Sequence, residues 1–327
     1  MIIRKYTSSF HDSWNSFVNN GKNKTFFFYR EFMEYHKDRF NDHSLMIYND
    51  NNKLLALFPA NITQNNEVIS HQGLTFGGLI ISKNEKLLNV LKCFYEVLAY
   101  FKSNNIKFLI YKEIPSFYNY LPSDEIQYAL FLADAELIRR DTTLTVKNNA
   151  NVPLQTRRKR SIKKGIKNNV VIEETNTFDD FWNIILIPNL KERFGVTPVH
   201  TLEEIKYLHS QFPDNIRQFN AYKNNRIMAG TTIFENGKIA HAQYISGSSE
   251  GRSDGSLDLL FQKVVFEEYK NNYYFDFGIC NENQGLEINF GLLDWKEGFG
   301  GRTFSHNFYK VNTNRLSKLQ KVIKSKY

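Results

Sequence analysis

Near its C-terminal end the chain reads LLDWKEGFGGRTF, Leu292 to Phe304, with Lys296, Glu297 and Arg302 set among three glycines and three aromatic rings. Glycines let backbone and ligand approach closely and rings exclude water. Fixed cations at Lys296 and Arg302 in so dry a place would stabilise a developing oxyanion. The same letters also fit a structural Lys296–Glu297 pair at a β-turn. Three groups could take a proton: Glu297, His241, and Asp276 in YFDFG. Strand alternation turns Asp276 away from Phe275 and Phe277, and it puts His241 on one face with Gln243. Each also has a structural reading, Asp276 as the partner of an arginine and His241 as a satisfied strand residue. Upstream, SGSSEGRSDGS holds Gly247, Gly251, Arg252, Gly255 and Ser256 just ahead of a helical pattern. Backbone amides at such a turn can cradle phosphate, and a flexible hairpin end is the alternative. Arg193 in ERFG suits an anion clamp or a solvated helix end; Tyr244 and Arg302 complete the candidate substrate contacts.

Charge is concentrated in two places. RRKRSIKKGIK, Arg157 to Lys167, carries seven basic residues and no acid, and the tail from Arg315 to Tyr327 carries five and no acid. Without those twelve the chain would fall from net +8 to −4. Local basicity of this kind addresses phosphates, nucleic acid or anionic lipid, or is a solvated helix face. In the tail, Leu316, Leu319 and Ile323 recur at helical spacing, which suits docking on the protein body or contact with an anionic membrane surface.

These residues need elements to hold them, and the elements are written twice. LMIYNDNNKLLALFPANIT (Leu45 to Thr63) has the layout of QFNAYKNNRIMAGTTIF (Gln218 to Phe234): strand, Asn-rich turn, longer strand. Each is followed by another strand ending in glycines, then by a helix, Lys86 to Ser103 or Ser256 to Lys270, and then by a β-rich run. The first helix predicts an apolar face of Leu87, Leu91, Phe94, Leu98 and Phe101, the second one of Leu257, Leu260, Phe261, Val264 and Val265. The copies are offset by about 174 residues, from Tyr48 to Tyr222. The expectation is an α/β chain of two mixed-sheet units, 1–150 and 151–327, joined at KNNANVP and entered through a basic helix that Thr156 caps.

The length of 327 residues, 42% hydrophobic, suits two ordinary cores. MIIRKYTSSF has no apolar run behind its charges, and no stretch nears the roughly 18 apolar residues of a membrane span. A cytoplasmic protein is expected. Cys93 and Cys280 lie far apart inside apolar patterns, as buried thiols do, and metal chemistry is not indicated.

A glycine turn feeding a helix after the fourth strand of a mixed sheet resembles GNAT acyltransferases, and two such units in tandem resemble the FemABX aminoacyltransferases and related FemAB-like acetyltransferases. The matching stretches are RRKRSIKKGIKNNVVI, ERFGVTPVHTLEEIKYL, HAQYISGSSEG with GSLDLLF, YFDFG and WKEGFGG, spanning Arg157 to Tyr309. The resemblance implies acyl transfer to an amine, with the donor held in the second unit and a small-molecule or lipid-linked acceptor, a sugar or peptide of the cell envelope. The donor would be acyl-CoA such as acetyl-CoA, or aminoacyl-tRNA. The lysine of the family's closing motif falls on Lys296, where it would stabilise the reacting carbonyl; Trp295 stands where the family usually has Phe. Two features depart from the pattern: the long helical arm of some members is missing, and Glu250 and Asp254 set negative charge where a diphosphate would lie. A non-catalytic protein that holds nucleic acid or anionic lipid through the basic helix is the expectation from a different class. A third has that helix merely joining the halves.

Overall fold

The computed structural model describes residues 1–150 and 152–325. Asn151 of the expected linker, and Lys326 and Tyr327 of the basic tail, lie outside the described residues. The chain forms two compact units, one of Met1–Asp141 together with the segment from Ser305 onward, the other Thr142–Phe304.

In the first unit the hairpin read from sequence is present. Leu45–Tyr48 pairs antiparallel with Leu54–Phe58, and the return depends on Asn52, whose φ of 61° is the left-handed conformation that asparagine tolerates. Ile2–Lys5 and Ile80–Ile81 flank the hairpin. The helix Leu87–Ser103 buries Leu91, Phe94, Leu98 and Phe101, as its spacing predicts, while Leu87 is the first helical residue and stays exposed. A second set of strands follows: the Phe308–Asn312 part of the strand Arg302–Asn312 pairs antiparallel with Phe108–Lys112, which pairs parallel with Val68–Ile69.

The second unit repeats that order with longer strands. Ile216–Lys223 turns into Arg226–Asn236 through Asn224 and Asn225, both at positive φ, the requirement of a tight type I′ hairpin. Ile239–Gly247 follows, then the helix Ser256–Lys263 with a wider turn at Val264–Glu268, then Tyr274–Ile279, parallel to Ile239 through His241. Leu257, Leu260, Phe261, Val264 and Val265 are all buried against Phe275, Phe277 and Phe299, so the predicted helix face is the one that packs.

The unit boundaries differ from 1–150 and 151–327. Residues 143 to 147 pair with Tyr274–Ile279 and so belong to the second unit. The C-terminal strand pairs with Phe108–Lys112, and the helix Ser317–Lys324 buries Leu319, with Leu316, Val322 and Ile323 packed on the same core as the helix Leu87–Ser103, so the tail belongs to the first. The tail's apolar face is thus spent on the protein body, leaving Lys321 and Lys324 to solvent while Lys318 pairs with Asp134. Both cysteines are buried free thiols, and burial pushes Cys93 up to about 12. No described helix is long and apolar enough to cross a membrane, and the described residues hold no group of three His, Cys, Asp or Glu that could bind a metal.

Candidate functional site

A cleft of about 380 Å³ opens in the second unit where the end of the strand Ile239–Gly247 meets residues of five helices. Ile245, Leu257, Leu292 and Trp295 form an apolar wall, and Arg158, Arg193 and Arg252 supply cations. Arg158, on the basic helix Thr156–Lys167, donates to both oxygens of Asp258 at 2.9 and 2.8 Å, and the Trp295 indole donates to the same carboxylate at 2.7 Å. Asp258 therefore fixes the wall, while the buried Nε of Arg158 keeps no protein partner. Arg252 donates to the Gly247 carbonyl. Partial desolvation of this otherwise exposed side chain first, and the neighbouring Arg193 cation next, hold the Arg252 guanidinium below its usual pKa, with Glu192 partly offsetting them. Two like charges crowded at one mouth are relieved by a bound anion.

The glycine turn is not an open cradle. Ser248 N–H donates to Met228 at 2.8 Å, Gly251 N–H to the Ser248 hydroxyl at 2.9 Å, Arg252 N–H to Ser248 at 3.0 Å and Ser256 N–H to the Asp254 carboxylate at 3.0 Å. Those amides are spent within the protein. The glycines serve packing: a Cβ on Gly251 would lie 2.2 Å from the Met228 carbonyl, and one on Gly255, at φ +93°, 2.1 Å from the carbonyl of Ser161 in the basic helix. Ser256 is buried, its hydroxyl donating to Asp254 at 2.6 Å. Gly247 lines the cleft, with its carbonyl accepting from Arg252 and from Asn189. The cleft's positive groups are thus arginine side chains, and the turn's bonded amides add no open backbone cradle. The acids expected to repel a diphosphate are also neutralised, since Lys223 lies 3.3 Å from both Glu250 and Asp254, and Arg226 lies 3.6 Å from Glu250.

The Lys296 segment is a helix, Phe290–Gly298, not a β-turn, because Asn289 caps it by accepting from Leu292 N–H. Lys296 is 2% exposed, and its ammonium donates to the Gly278 carbonyl at 3.0 Å and the Ile279 carbonyl at 2.8 Å. Burial lowers its pKa, with Cys280 and Asp276 pulling the other way. Glu297 is exposed on the same helix and does not pair with it. Arg302 is exposed too, folded onto the carbonyl of Gly301 at 2.7 Å.

Asp276 and His241, separate candidates in the sequence, are one unit in the structure. They are register partners on parallel strands, with His241 Nδ1 2.9 Å from Asp276 Oδ2. Asp276 also accepts from the Thr143 hydroxyl and from Gly278 N–H at 2.9 Å. Burial alone would raise this carboxyl, but His241, Thr143 and Gly278 together hold it below the ordinary range. An ionised acceptor on Nδ1 assigns the ring proton there and leaves the lone pair on Nε2. Phe275 and Phe277 lie in the core as alternation predicts. Alternation fails at Gln243: Thr232 pairs with Tyr244 and Ile233 with Ala242, so Gln243 is the extra residue of a bulge. Tyr244 is not open to substrate; its hydroxyl accepts from His200 N–H at 3.0 Å and lies 2.7 Å from His200 Nδ1.

No protein-family model matches the sequence, and no curated protein does. Solved structures do. FemX aligns with a TM-score of 0.68 at 10% identity, over 99% of this chain and 100% of its own. The C-terminal domain of a putative lysylphosphatidylglycerol synthetase from Agrobacterium fabrum aligns at 0.57 and 10% identity, over 86% of this chain and 88% of that one. A tandem GNAT protein from the clavulanic acid biosynthesis pathway aligns at 0.51 and 8% identity, over 95% and 98%. At such identities the likeness is one of fold, and the chain has the tandem GNAT-like α/β fold to which FemX also belongs.

Proposed function

We propose that the protein is a FemAB-like N-acyltransferase, moving an acetyl or similar acyl group to an amine of a nucleotide- or lipid-linked sugar or peptide in the cytoplasmic stages of cell-envelope polysaccharide or peptidoglycan synthesis. The observation that carries this reading is the cleft of the second unit, in which an apolar wall ends at three arginines. That combination suits an acyl-CoA, whose pantetheine arm would lie along Ile245, Leu257 and Trp295 with its phosphates at Arg193 and Arg252.

In the reaction the acceptor amine attacks the thioester carbonyl, its proton passes to Nε2 of His241, and the bond to sulfur breaks as thiolate leaves. Asp276 orients the imidazole and stabilises its cation. Lys296 acts as a positioning residue. Its ammonium ties down the Gly278 and Ile279 carbonyls, and Gly278 N–H in turn holds Asp276. Arg158 and Trp295 keep the cleft wall in place through Asp258.

A second donor, aminoacyl-tRNA, is favoured by one observation: Lys159, Arg160, Lys163 and Lys167 are exposed along the basic helix whose Arg158 lines the cleft. The donors are separated by assay. Purified protein with acetyl-CoA and a panel of amino sugars should release free thiol, and with aminoacyl-tRNA it should not deacylate the tRNA; the reverse pattern assigns the tRNA. If neither donor turns over while nucleic acid binds with a steep salt dependence, the protein is a non-catalytic binder on this fold.

A further inference from the structure

The mouth of the cleft carries apolar side chains that cover nothing. Asn289 and Gly291 line it, and Phe290 between them is 74% exposed. The adjoining ribbon, Asn281–Glu282 paired with Glu287–Ile288, turns through Asn283, Gln284 and Gly285, all at positive φ, and that tight turn presents Leu286 at 83% exposure. Across the same cleft Arg193 and Phe194 line the wall, Phe194 is half-exposed, and the loop beyond it presents Val196 and, at 71%, Val199. Single exposed apolar residues are ordinary on a protein surface; this many around one opening are not.

Cations accompany them. Arg193 and Arg252 stand at the mouth, and the exposed Lys159, Arg160, Lys163 and Lys167 extend from it along a helix tied to the cleft walls by Arg157 to Asp294 and by Arg158 to Asp258. The nearby acids are fewer and partly engaged: Glu282 accepts from Asn289 at 2.9 Å, Glu287 from Asn283 at 3.0 Å, and Glu192 lies beside the arginines.

We infer that this face of the second unit docks on an anionic phospholipid bilayer, with Leu286, Phe290 and Val199 entering the interface and the arginines and lysines meeting lipid phosphates. Tips on separate loops, standing proud and flanked by cations, suit a fluid interface, which accepts protruding side chains without a complementary shape. The contact is peripheral, as no described helix can span. It differs from contact through the basic tail, whose apolar residues are packed into the first unit's core. It rests on these exposures and not on acyl transfer.

The test is sedimentation with vesicles of phosphatidylcholine alone or mixed with phosphatidylglycerol. The wild type should pellet with the mixed vesicles and far less with phosphatidylcholine. The double variant Leu286→Asp, Phe290→Asp, checked for an unchanged thermal melt, should lose on the order of tenfold or more in partitioning. Lys321→Glu with Lys324→Glu in the tail should pellet as the wild type does. Thiol release with a soluble amino sugar, read in parallel, reports on catalysis separately. The inference is overturned if the wild type stays in the supernatant, if the tip variant binds as the wild type does, or if the wild type is a dimer that the tip variant turns into a monomer, which would make the face a protein interface.

Discussion

Nδ1 of His241 lies 2.9 Å from Oδ2 of Asp276, a carboxylate that is itself buried and held by Thr143 and Gly278. Thirty-five positions apart in the chain, the two are brought into register by parallel pairing. Asp276→Asn offers Nδ1 an amide in place of an anion, which frees the ring to take the wrong tautomer. Activity should fall on the order of 10²-fold or more with little change in donor KM, and His241→Gln should match it. A single-turnover assay that finds Asp276→Asn as fast as wild type removes the pair from the chemistry.

The Asp276 carboxyl is held below its unfolded pKa, so its stabilisation is fully present above about pH 4 and is lost as pH falls through the lower folded value. Replacing it with Asn should flatten the acid limb of a pH–stability curve below pH 4, as followed by chemical denaturation.

His36 and His71 in the first unit titrate in the opposite sense to a salt-bridged histidine. Burial lowers them to about 4 and about 3. The unfolded chain takes up protons near pH 6.5 while the folded chain stays neutral, so stability falls as pH drops from about 6.5 towards 4, by about 1.4 kcal/mol per pH unit for each histidine fully in that window. His36→Phe should reduce the slope of Tm against pH over that range; an unaltered slope would show that His36 is protonated in the folded state.

Lys296→Met keeps the length of the side chain but leaves two partly buried carbonyls, Gly278 and Ile279, without their donor. The expected cost is about 1–3 kcal/mol per orphaned group, read in the denaturant midpoint, together with lower activity from a looser Asp276. Raising the pH to rescue an otherwise folded Lys296→Met would contradict a positioning role, since the variant has nothing left to titrate there.

Arg193→Ala and Arg252→Ala should each weaken donor binding by roughly tenfold, the worth of a charge-assisted contact, and leave Tm nearly unchanged because both side chains are exposed. Gly255→Ala should do the reverse and destabilise, because the added methyl meets the Ser161 carbonyl at 2.1 Å and φ is +93°.

The fold was legible where one local rule governed each element. Asn224 and Asn225 announce a tight hairpin, and the spacing of Leu257, Leu260, Phe261, Val264 and Val265 announces the buried helix face. The site was legible in its residue types but not in their arrangement. A glycine reads the same whether it admits a ligand or a neighbouring helix, and Gly255 admits Ser161. Glycines around Lys296 suggested a turn, yet Gly298 closes a capped helix and Gly300 and Gly301 follow it. The bulge at Gln243 depends on two strands adopting a mismatched register, which neither strand records alone. The allegiance of the tail was hidden for the same reason: Leu319 advertises an apolar face without naming the core that receives it.

Because residues from Ser305 onward supply a strand and a helix to the first unit, that unit remains unfinished until the segment beyond Thr142–Phe304 has been made. The intervening segment Thr142–Phe304 is complete earlier and can fold on the emerging chain while its predecessor waits with an unpaired strand edge at Phe108–Lys112 and an uncovered core beside the helix Leu87–Ser103. A premature stop before the strand Arg302–Asn312 would therefore cripple the unit made first.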